Sequence, residues 1–139
     1  EDKSGKQIQQ MLEQLKVNVT HYDVVADDAM SIQTQIKMWV EEGVDVIFTT
    51  GGTGLGPRDV TTEAVNAIIE RKVPGIEEAM RNYGQMRTPL AMLSRSVAGT
   101  IGNTVVVALP GSIGGVRESL EAILPGIFHS INMMKGEGH

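Results

Sequence analysis

A glycine-rich turn at residues 49–59, TTGGTGLGPRD, contains the residues best suited to chemistry. It follows an apolar stretch at residues 44–50, which is typical of a strand covered on both faces. Open α/β sheets bind ligands where such strands end. Glycines there adopt conformations closed to other residues, so consecutive amides can surround a phosphate. The candidate binding residues are Gly51, Gly52, Thr53 and Gly54. A plain tight turn is the alternative interpretation.

The usual phosphate-binding motifs do not match this turn. A Walker A loop has Lys-Ser or Lys-Thr after its last glycine, whereas Pro57 and Arg58 stand here. The dinucleotide fingerprint Gly-x-Gly-x-x-Gly also fails, because Pro57 takes the third glycine position counted from Gly52. The sequence therefore disfavours an ordinary ATPase or kinase and a nicotinamide-dependent dehydrogenase.

A second glycine loop, LPGSIGG at residues 109–115, also follows an apolar strand-like stretch and precedes a helix-like one. Gly111 and Ser112 are its candidate binding residues. Taken alone, the Ser112 hydroxyl is more typical of a helix N-cap. We expect the two loops, each at the carboxyl end of a buried strand, to flank one crevice.

Carboxylates lie near both sides of this crevice. Asp59 closes the first glycine turn, and Asp27 and Asp28 follow a predicted strand at residues 19–25. Carboxylates beside a phosphate loop indicate Mg²⁺, which proteins bind through one or two carboxylates plus substrate phosphates. As isolated residues these aspartates are more typical of helix caps.

The histidines and arginines give weaker evidence for a functional site. His21, His129 and His139 have no metal-ligand spacing with one another, and we expect no catalytic or metal role for them. Arg58 and Arg95 lie inside glycine-bearing motifs and are suited to phosphate contact, but surface or salt-bridge roles fit equally well.

Composition limits the class of protein. The 139 residues suit a single domain, 1–139, and the hydrophobic fraction of 41% is that of a globular chain. The absence of cysteine removes disulfides and thiolate metal sites and fits a reducing compartment, so we expect a cytoplasmic protein. A net charge of −5 argues against nucleic-acid binding and anionic membranes. We also expect no signal peptide and no membrane span.

Hydrophobic periodicity predicts alternating helices and strands. Helices are predicted from about residues 4 to 15 (with Ser4 and Gln7 as a capping box), 28 to 43, 62 to 71 and 75 to 85, and from 114 onward with a break at Pro125–Gly126. Strands are predicted at residues 19–25, 44–50, 92–98 and 104–109, with a turn at 99–103. This order predicts an α/β fold with a mostly parallel sheet covered by helices on both faces.

The stretch GGTGLGPRDVTTEA, residues 51–64, resembles the signature of the molybdopterin adenylyltransferase family. That family takes in the bacterial and archaeal MogA and MoaB proteins and the G domains of gephyrin and its plant counterparts. Other segments agree with it in order and spacing: VADD (25–28), VPGIEEAMR (73–81), AMLSRSVAGTIGNT (91–104) and LPGSIGGVRESLEAILP (109–125). The resemblance therefore covers nearly the whole chain.

This resemblance implies a three-layer α/β/α sandwich around a mixed, mainly parallel sheet, assembled as a trimer or hexamer. It also implies a reaction in which the terminal phosphate of molybdopterin attacks the α-phosphate of MgATP, giving adenylylated molybdopterin and pyrophosphate. The product is then handed to a second protein, which exchanges the adenylyl group for molybdate, or for tungstate in some organisms.

The resemblance also assigns residues. It makes Asp59 the activity-determining aspartate near the reacting phosphates and Asp27 an assistant for metal or nucleotide, so both are the expected catalytic and Mg²⁺-binding residues. Its substrate-binding positions fall on Gly51, Gly52, Thr53, Gly54, Ser94, Gly111 and Ser112. The alternative is a non-catalytic molybdopterin-binding or scaffold subunit of the same family.

Two departures from the family pattern stand out. Ala26 occupies a position that is usually proline. Family members also begin with a strand and a Ser-Asp-containing turn ahead of the segment matching EDKSG, whereas the sequence here opens at Glu1. We interpret the chain as a fragment, because the first helix keeps an apolar face that needs a cover.

Overall fold

The structure is a computed structural model that describes residues 2–136, and its centre is a four-stranded sheet. The strands are β1 (Val46–Thr50), β2 (Arg71–Lys72), β3 (Val97–Ile101) and β4 (Thr104–Leu109). Their order is β1-β4-β3-β2, with β1 parallel to β4 and the other two pairings antiparallel. The sheet is mixed, as expected, but parallel pairs are not the majority within residues 2–136.

Five α-helices cover the two faces of this sheet. They are α1 (Lys3–Gln14), α2 (Ala29–Glu41), α3 (Thr61–Ile68), α4 (Pro74–Gln85) and α5 (Ile113–Met134). Buried residues of α1, α4 and α5 pack on one face, and those of α2 and α3 pack on the other. This confirms the three-layer α/β/α sandwich. No helix within residues 2–136 is long and apolar enough to cross a membrane.

Strand β4 joins the two halves of the core. Every residue of TVVVAL is buried, because the strand has covered faces on both sides. Val105, Val107 and Leu109 contribute to one apolar cluster, and Val106 and Ala108 contribute to the other. Burial on both faces explains why the sequence shows no polar alternation here.

The predicted strand at residues 19–25 is wrong. These residues have no regular secondary structure, and a groove of about 760 Å³ lies between them and the free edge of β1. A strand needs a neighbouring backbone with which to form hydrogen bonds. Within residues 2–136, a groove and not another strand lies beside this segment. The β-branched pattern of the segment thus has no ladder to join.

The predicted strand at 92–98 and turn at 99–103 are also misplaced. Pro89–Leu93 is a 3₁₀ helix, capped by Thr88, and β3 begins only at Val97. The hairpin turns at Gly102, whose φ is +56°. Gly99 lies inside β3, where a Cβ would collide with the Arg71 carbonyl of β2. Gly99 therefore permits a close strand approach and is not a turn residue.

The predicted break at Pro125–Gly126 does not occur, and α5 runs through both residues. Both are exposed, whereas Ile123, Leu124 and Ile127 beside them are buried in the core. Packing of that apolar face outweighs the lost backbone hydrogen bond, since a solvent-facing proline leaves the freed carbonyl accessible to water.

Some of the predicted helix starts are confirmed and others are wrong. Asp28 and Ser112 are confirmed as N-caps: their side chains accept from Ser31 N at 2.8 Å and Gly115 N at 3.0 Å. The first helix is capped by Asp2, not by Ser4. Helix α3 begins after Val60 without a side-chain cap and ends at Ile68, short of the expected residue 71, because residues 71–72 form β2.

The apolar face of α1 is partly covered within residues 2–136. Ile8 and Leu12 are 8% and 7% exposed and belong to the same buried cluster as the inner face of α5. Leu15 of the same face is 55% exposed, and Ile8 and Leu12 line the groove beside β1, so the interpretation of the chain as a fragment stays a prediction.

Candidate functional site

The two glycine loops meet at one edge of the sheet. Because β1 and β4 are parallel and in register from Val46↔Val105 to Thr50↔Leu109, both strands end at the same level. The Thr50 hydroxyl donates to Pro110 O at 2.8 Å, and Gly51 N donates to Leu109 O at 3.2 Å. A Cβ on Gly111 would lie 3.2 Å from the Gly51 Cα. The predicted juxtaposition of the two loops is confirmed.

The first loop, residues 51–59, depends on backbone conformations that favour glycine. Gly51 and Gly52 have φ values of +88° and +73°. The Gly52 carbonyl accepts from Thr61 N at 3.0 Å, which fastens the loop to the start of α3. The side chain of Thr53 is buried at 3% exposure. These residues form a defined loop with its backbone close to neighbouring elements.

Asp59 turns back into this loop. Its Oδ2 accepts from Gly56 N at 2.8 Å, and a Cβ on Gly54 would come within 2.8 Å of the same oxygen. Glycine at position 54 therefore makes room for the carboxylate. Asp59 is half-buried and does not cap α3, so the helix-cap interpretation is wrong for this residue.

The second loop is tied to the first helix. The Ser4 hydroxyl donates to Gly111 O at 2.6 Å, while Ser112 begins α5. Reasoning from the sequence treated Ser4 as a cap. No local signal connects it with a residue 107 positions away, because that contact exists only once α1 has packed beside α5.

A third segment, residues 94–96, adjoins the first loop. Ser94 Oγ lies 2.9 Å from Ser96 Oγ, and Arg81 donates from Nη1 to the carbonyls of Ser94 and Ser96 at 3.4 and 3.1 Å. Arg95 N donates to Thr53 O at 2.7 Å. The segment thus contacts the glycine loop through Arg95, while Ser94 itself contacts Arg81 and Ser96, and its substrate-binding role stays a prediction.

Arg95 is the residue whose role sequence reasoning missed. Its guanidinium group donates to Gly54 O at 2.8 Å and to Asp59 O at 3.0 Å, and it forms an ion pair with Glu63. The hydrogen bond from Arg95 holds the pKa of the Glu63 carboxyl below its ordinary value. Proximity to a glycine motif indicated a phosphate or salt-bridge role, but not contact with loop carbonyls.

Asp27 is held less firmly than Asp59. It is exposed and borders the groove beside β1, together with Thr50 and Thr61, which flank the first loop. Within residues 2–136, no group of three or more histidine or acidic side chains is placed to hold a metal ion. Asp59 and residues 51–54 do not line the groove that Asp27 borders, so no contact joins the two aspartates in the described part of the chain. A cation held by either aspartate would need further oxygen ligands from a substrate.

The remaining candidates lie elsewhere. The His21 ring contacts Thr20 and Glu42, with Nε2 2.8 Å from Glu42 Oε1, and its centroid is 5.3 Å from that of Trp39. Arg58 is exposed on the loop. His139 lies outside the described residues.

Comparison with known proteins identifies the family. Residues 1–129 match a family described as a probable molybdopterin binding domain, and the chain belongs to that family. It is 41% identical over 138 residues to a molybdenum cofactor biosynthesis bifunctional protein of Chlorobaculum tepidum, covering 99% of this chain and 44% of that protein. The chain therefore spans less than half of this relative. It is also 41% identical to molybdenum cofactor biosynthesis protein B of Staphylococcus aureus, covering 94% of the chain and 81% of the relative.

Solved structures agree with this assignment. The molybdopterin biosynthesis enzyme MoaB of Thermus thermophilus superposes with a TM-score of 0.91 at 42% identity, over 99% of this chain and 87% of that one. The tungsten cofactor synthesizing protein MoaB of Pyrococcus furiosus superposes with a TM-score of 0.88 at 31% identity, over 97% and 86%. The chain is thus a member of a molybdenum cofactor biosynthesis family with the MoaB/MogA fold.

Proposed function

We propose that this protein transfers an adenylyl group from MgATP to molybdopterin. The terminal phosphate oxygen of molybdopterin attacks the α-phosphorus of ATP and forms a new P–O bond. The bond from that phosphorus to the bridging oxygen breaks, and pyrophosphate leaves. The products are adenylylated molybdopterin and pyrophosphate.

One observation carries the proposal: the two glycine loops lie close together, and the Asp59 side chain folds back into the first of them. Gly51 and Gly111 approach closely at the ends of β1 and β4, and Asp59 lies within the first loop. The N-terminus of α5 opens from the second loop, and a helix N-terminus favours anions. In this proposal the two loops bind the two phosphate-bearing substrates side by side at this edge.

Transfer between phosphates asks a protein mainly for alignment and neutralisation of charge. In this proposal the amides of residues 52–54 and 111–112 bind and orient phosphate oxygens, and Gly51 lets the loop backbone turn. The Ser94 hydroxyl, beside Ser96, donates to the substrate at the rim of the first loop. Asp59 acts as an orienting carboxylate and not as a nucleophile.

The donor chemistry fits magnesium. Asp27 and Asp59 supply hard carboxylate oxygens, and Mg²⁺ in proteins commonly takes one or two carboxylates and completes its shell with substrate phosphates and water. When bound, the ion would neutralise phosphate charge. Asp59 keeps Oδ1 for this purpose while Oδ2 binds the Gly56 amide.

Single-turnover conversion of molybdopterin with MgATP by the full-length protein tests the proposal. The assay measures adenylylated pterin and pyrophosphate. We expect Asp59→Asn to reduce the rate by about 100-fold or more, because the charge that orients the phosphates is lost. The asparagine in this variant keeps a side-chain oxygen that can accept from Gly56 N, so the loop keeps its shape.

Asp45→Asn is the matched control. Asp45 is exposed and precedes β1 at the strand's opposite end, so the same charge change there should leave the rate unchanged. A normal rate in Asp59→Asn would contradict the role of Asp59. Molybdopterin binding without product in the parent protein would contradict the reaction and indicate the non-catalytic binding subunit instead.

The proposal extends to the setting of the reaction. The protein acts in the cytoplasm as a homo-oligomer, a trimer or hexamer, and passes its product to a molybdate-inserting partner. Gel filtration with light scattering measures the assembly directly, and a monomer would contradict this part.

A further inference from the structure

The guanidinium group of Arg95 joins both ends of the turn that contains Asp59. Nε donates to Gly54 O at 2.8 Å and Nη2 donates to Asp59 O at 3.0 Å. A guanidinium group is planar and its donors have fixed directions. Two carbonyls bound to it are therefore fixed in spacing and orientation relative to each other.

Fixing a carbonyl also fixes the amide of the same peptide. In a planar trans peptide the C=O and N–H point in opposite directions. The Gly54 carbonyl faces Arg95, so the Leu55 N–H points away from it, and the same holds for the Asp59 carbonyl and the Val60 N–H. Arg95 thereby sets the directions of amides in a loop that has no regular secondary structure.

Arg95 is itself held from both sides. Its N–H donates to Thr53 O at 2.7 Å, and its carbonyl accepts from the Thr62 hydroxyl at 2.7 Å. Arg81 of α4 fixes the carbonyls of the neighbouring residues 94 and 96 and pairs with Glu77 at 3.7 Å. A residue supported in this way can impose its geometry on the loop.

The third contact of Arg95 argues against direct substrate binding. Nη1 pairs with Glu63, whose side chain is 61% exposed, so the pair itself contributes little to stability. It does neutralise the cation locally. With its donors directed to two carbonyls and a carboxylate, the group is engaged with the protein.

We propose that Arg95 is the positioning residue of the first glycine loop: it orders residues 54–60 through their carbonyls and does not bind the substrate phosphates. Its effect on substrate affinity rests on the proposed adenylyl transfer. Its importance for loop order does not, and the two are measured separately.

Hydrogen exchange of the loop amides in the ligand-free protein measures the order. Lysine keeps the charge and the pairing with Glu63 but cannot donate to both carbonyls in a planar fork. We expect residues 55–60 to exchange about tenfold faster in Arg95→Lys, with β4 unchanged, because hydrogen bonds from a charged group are lost. Arg71→Lys, an exposed arginine of β2, is the matched control and should change neither.

Binding and turnover supply the second measurement. If only the ordered loop binds, the apparent Kd equals the intrinsic Kd divided by the fraction of protein whose loop is ordered. The Kd for molybdopterin should therefore rise by no more than about tenfold. The kcat at saturating substrates should stay within about threefold of the parent, because no contact with the reacting atoms is lost.

Two results would overturn the proposal. One is unchanged exchange of residues 55–60 in Arg95→Lys. The other is a loss of kcat by orders of magnitude at saturation, which would mean that Arg95 contacts the transferring phosphate. A parent protein that makes no adenylylated pterin would contradict the proposed function alone, because the exchange measurement needs no turnover.

Discussion

The two carboxylates of the proposed site differ in how the rest of the protein holds them. Asp59 lies in a loop that is tied to α3, to the second loop and to Arg95. Asp27 lies in an exposed segment without regular structure, across a groove from β1. Hydrogen bonds within the protein shape the loop around Asp59. In the proposed site, a ligand would have to order the segment around Asp27 on binding.

The difference has an energetic consequence. Ordering a segment on binding takes free energy from the interaction, whereas a preformed loop has already lost that freedom during folding. Changes in the loop at residues 51–59 should therefore affect both stability and binding. Changes around Asp27 should affect binding alone.

The largest effect on stability is expected from Gly52→Ala. Gly52 has a φ of +73°, and its Cβ would collide with the side chain of Thr61. A left-handed non-glycine residue costs about 1–2 kcal/mol and overpacking about 1–3, so the free energy of unfolding should fall by roughly 2–5 kcal/mol. Urea unfolding measures the change.

Gly43→Ala separates the two causes. Gly43 follows α2 with a φ of +84°, but no atom lies within 4 Å of a Cβ built there. Only the conformational cost of about 1–2 kcal/mol remains. Equal losses in the two variants would show that the packing of the loop contributes nothing.

The second prediction compares the carboxylates directly. Asp59→Ala leaves the Gly56 amide without its partner and should lower the free energy of unfolding by about 1 kcal/mol. Asp27→Ala removes an exposed side chain and should change it by less than about 0.5 kcal/mol. The same unfolding experiment measures both. A larger loss for Asp27 would mean that its segment is more ordered than its exposure indicates.

The sequence predicted the parts of the fold that have a local cause. The run before residue 110 is apolar because β4 is buried on both faces, whereas in β1 only Ile47 is buried and the other residues are half-buried beside the groove. Asp28 and Ser112 cap the helices that follow them. The close approach of the two glycine loops then follows from parallel strands that end at one level. The site's centre was therefore accessible to sequence reasoning.

The predictions from sequence are wrong where contacts between distant parts of the chain determine the local structure. Residues 19–25 have strand-like composition but pair with no strand of the described residues 2–136, and Pro125 lies in a helix held by its buried face. The contact between Ser4 and Gly111 spans most of the chain, and so it gives no periodic signal. Arg95 was ambiguous for a similar reason, because its carbonyl partners are 36 and 41 positions away.

The smallest predicted effect concerns Asp28, the one carboxylate of the exposed region that a helix holds. Hydrogen bonds from Ser31, backbone first and then hydroxyl, hold its pKa below the ordinary 3.8. A folded-state pKa below the unfolded one means that the charged cap stabilises the fold above about pH 3.8, and that this contribution is lost as the pH falls through the lower folded value.

Asp28→Asn keeps the cap, since asparagine caps equally well, but does not titrate. We therefore expect the parent to lose more stability than Asp28→Asn when the urea midpoint is followed from pH 6 to about pH 3. Glu63, whose pKa is also lowered, is present in both proteins. Its contribution to the pH dependence of stability is therefore the same in each and does not affect the comparison. Parallel curves for the two proteins would show that the Asp28 cap is as loosely held as Asp27 beside it.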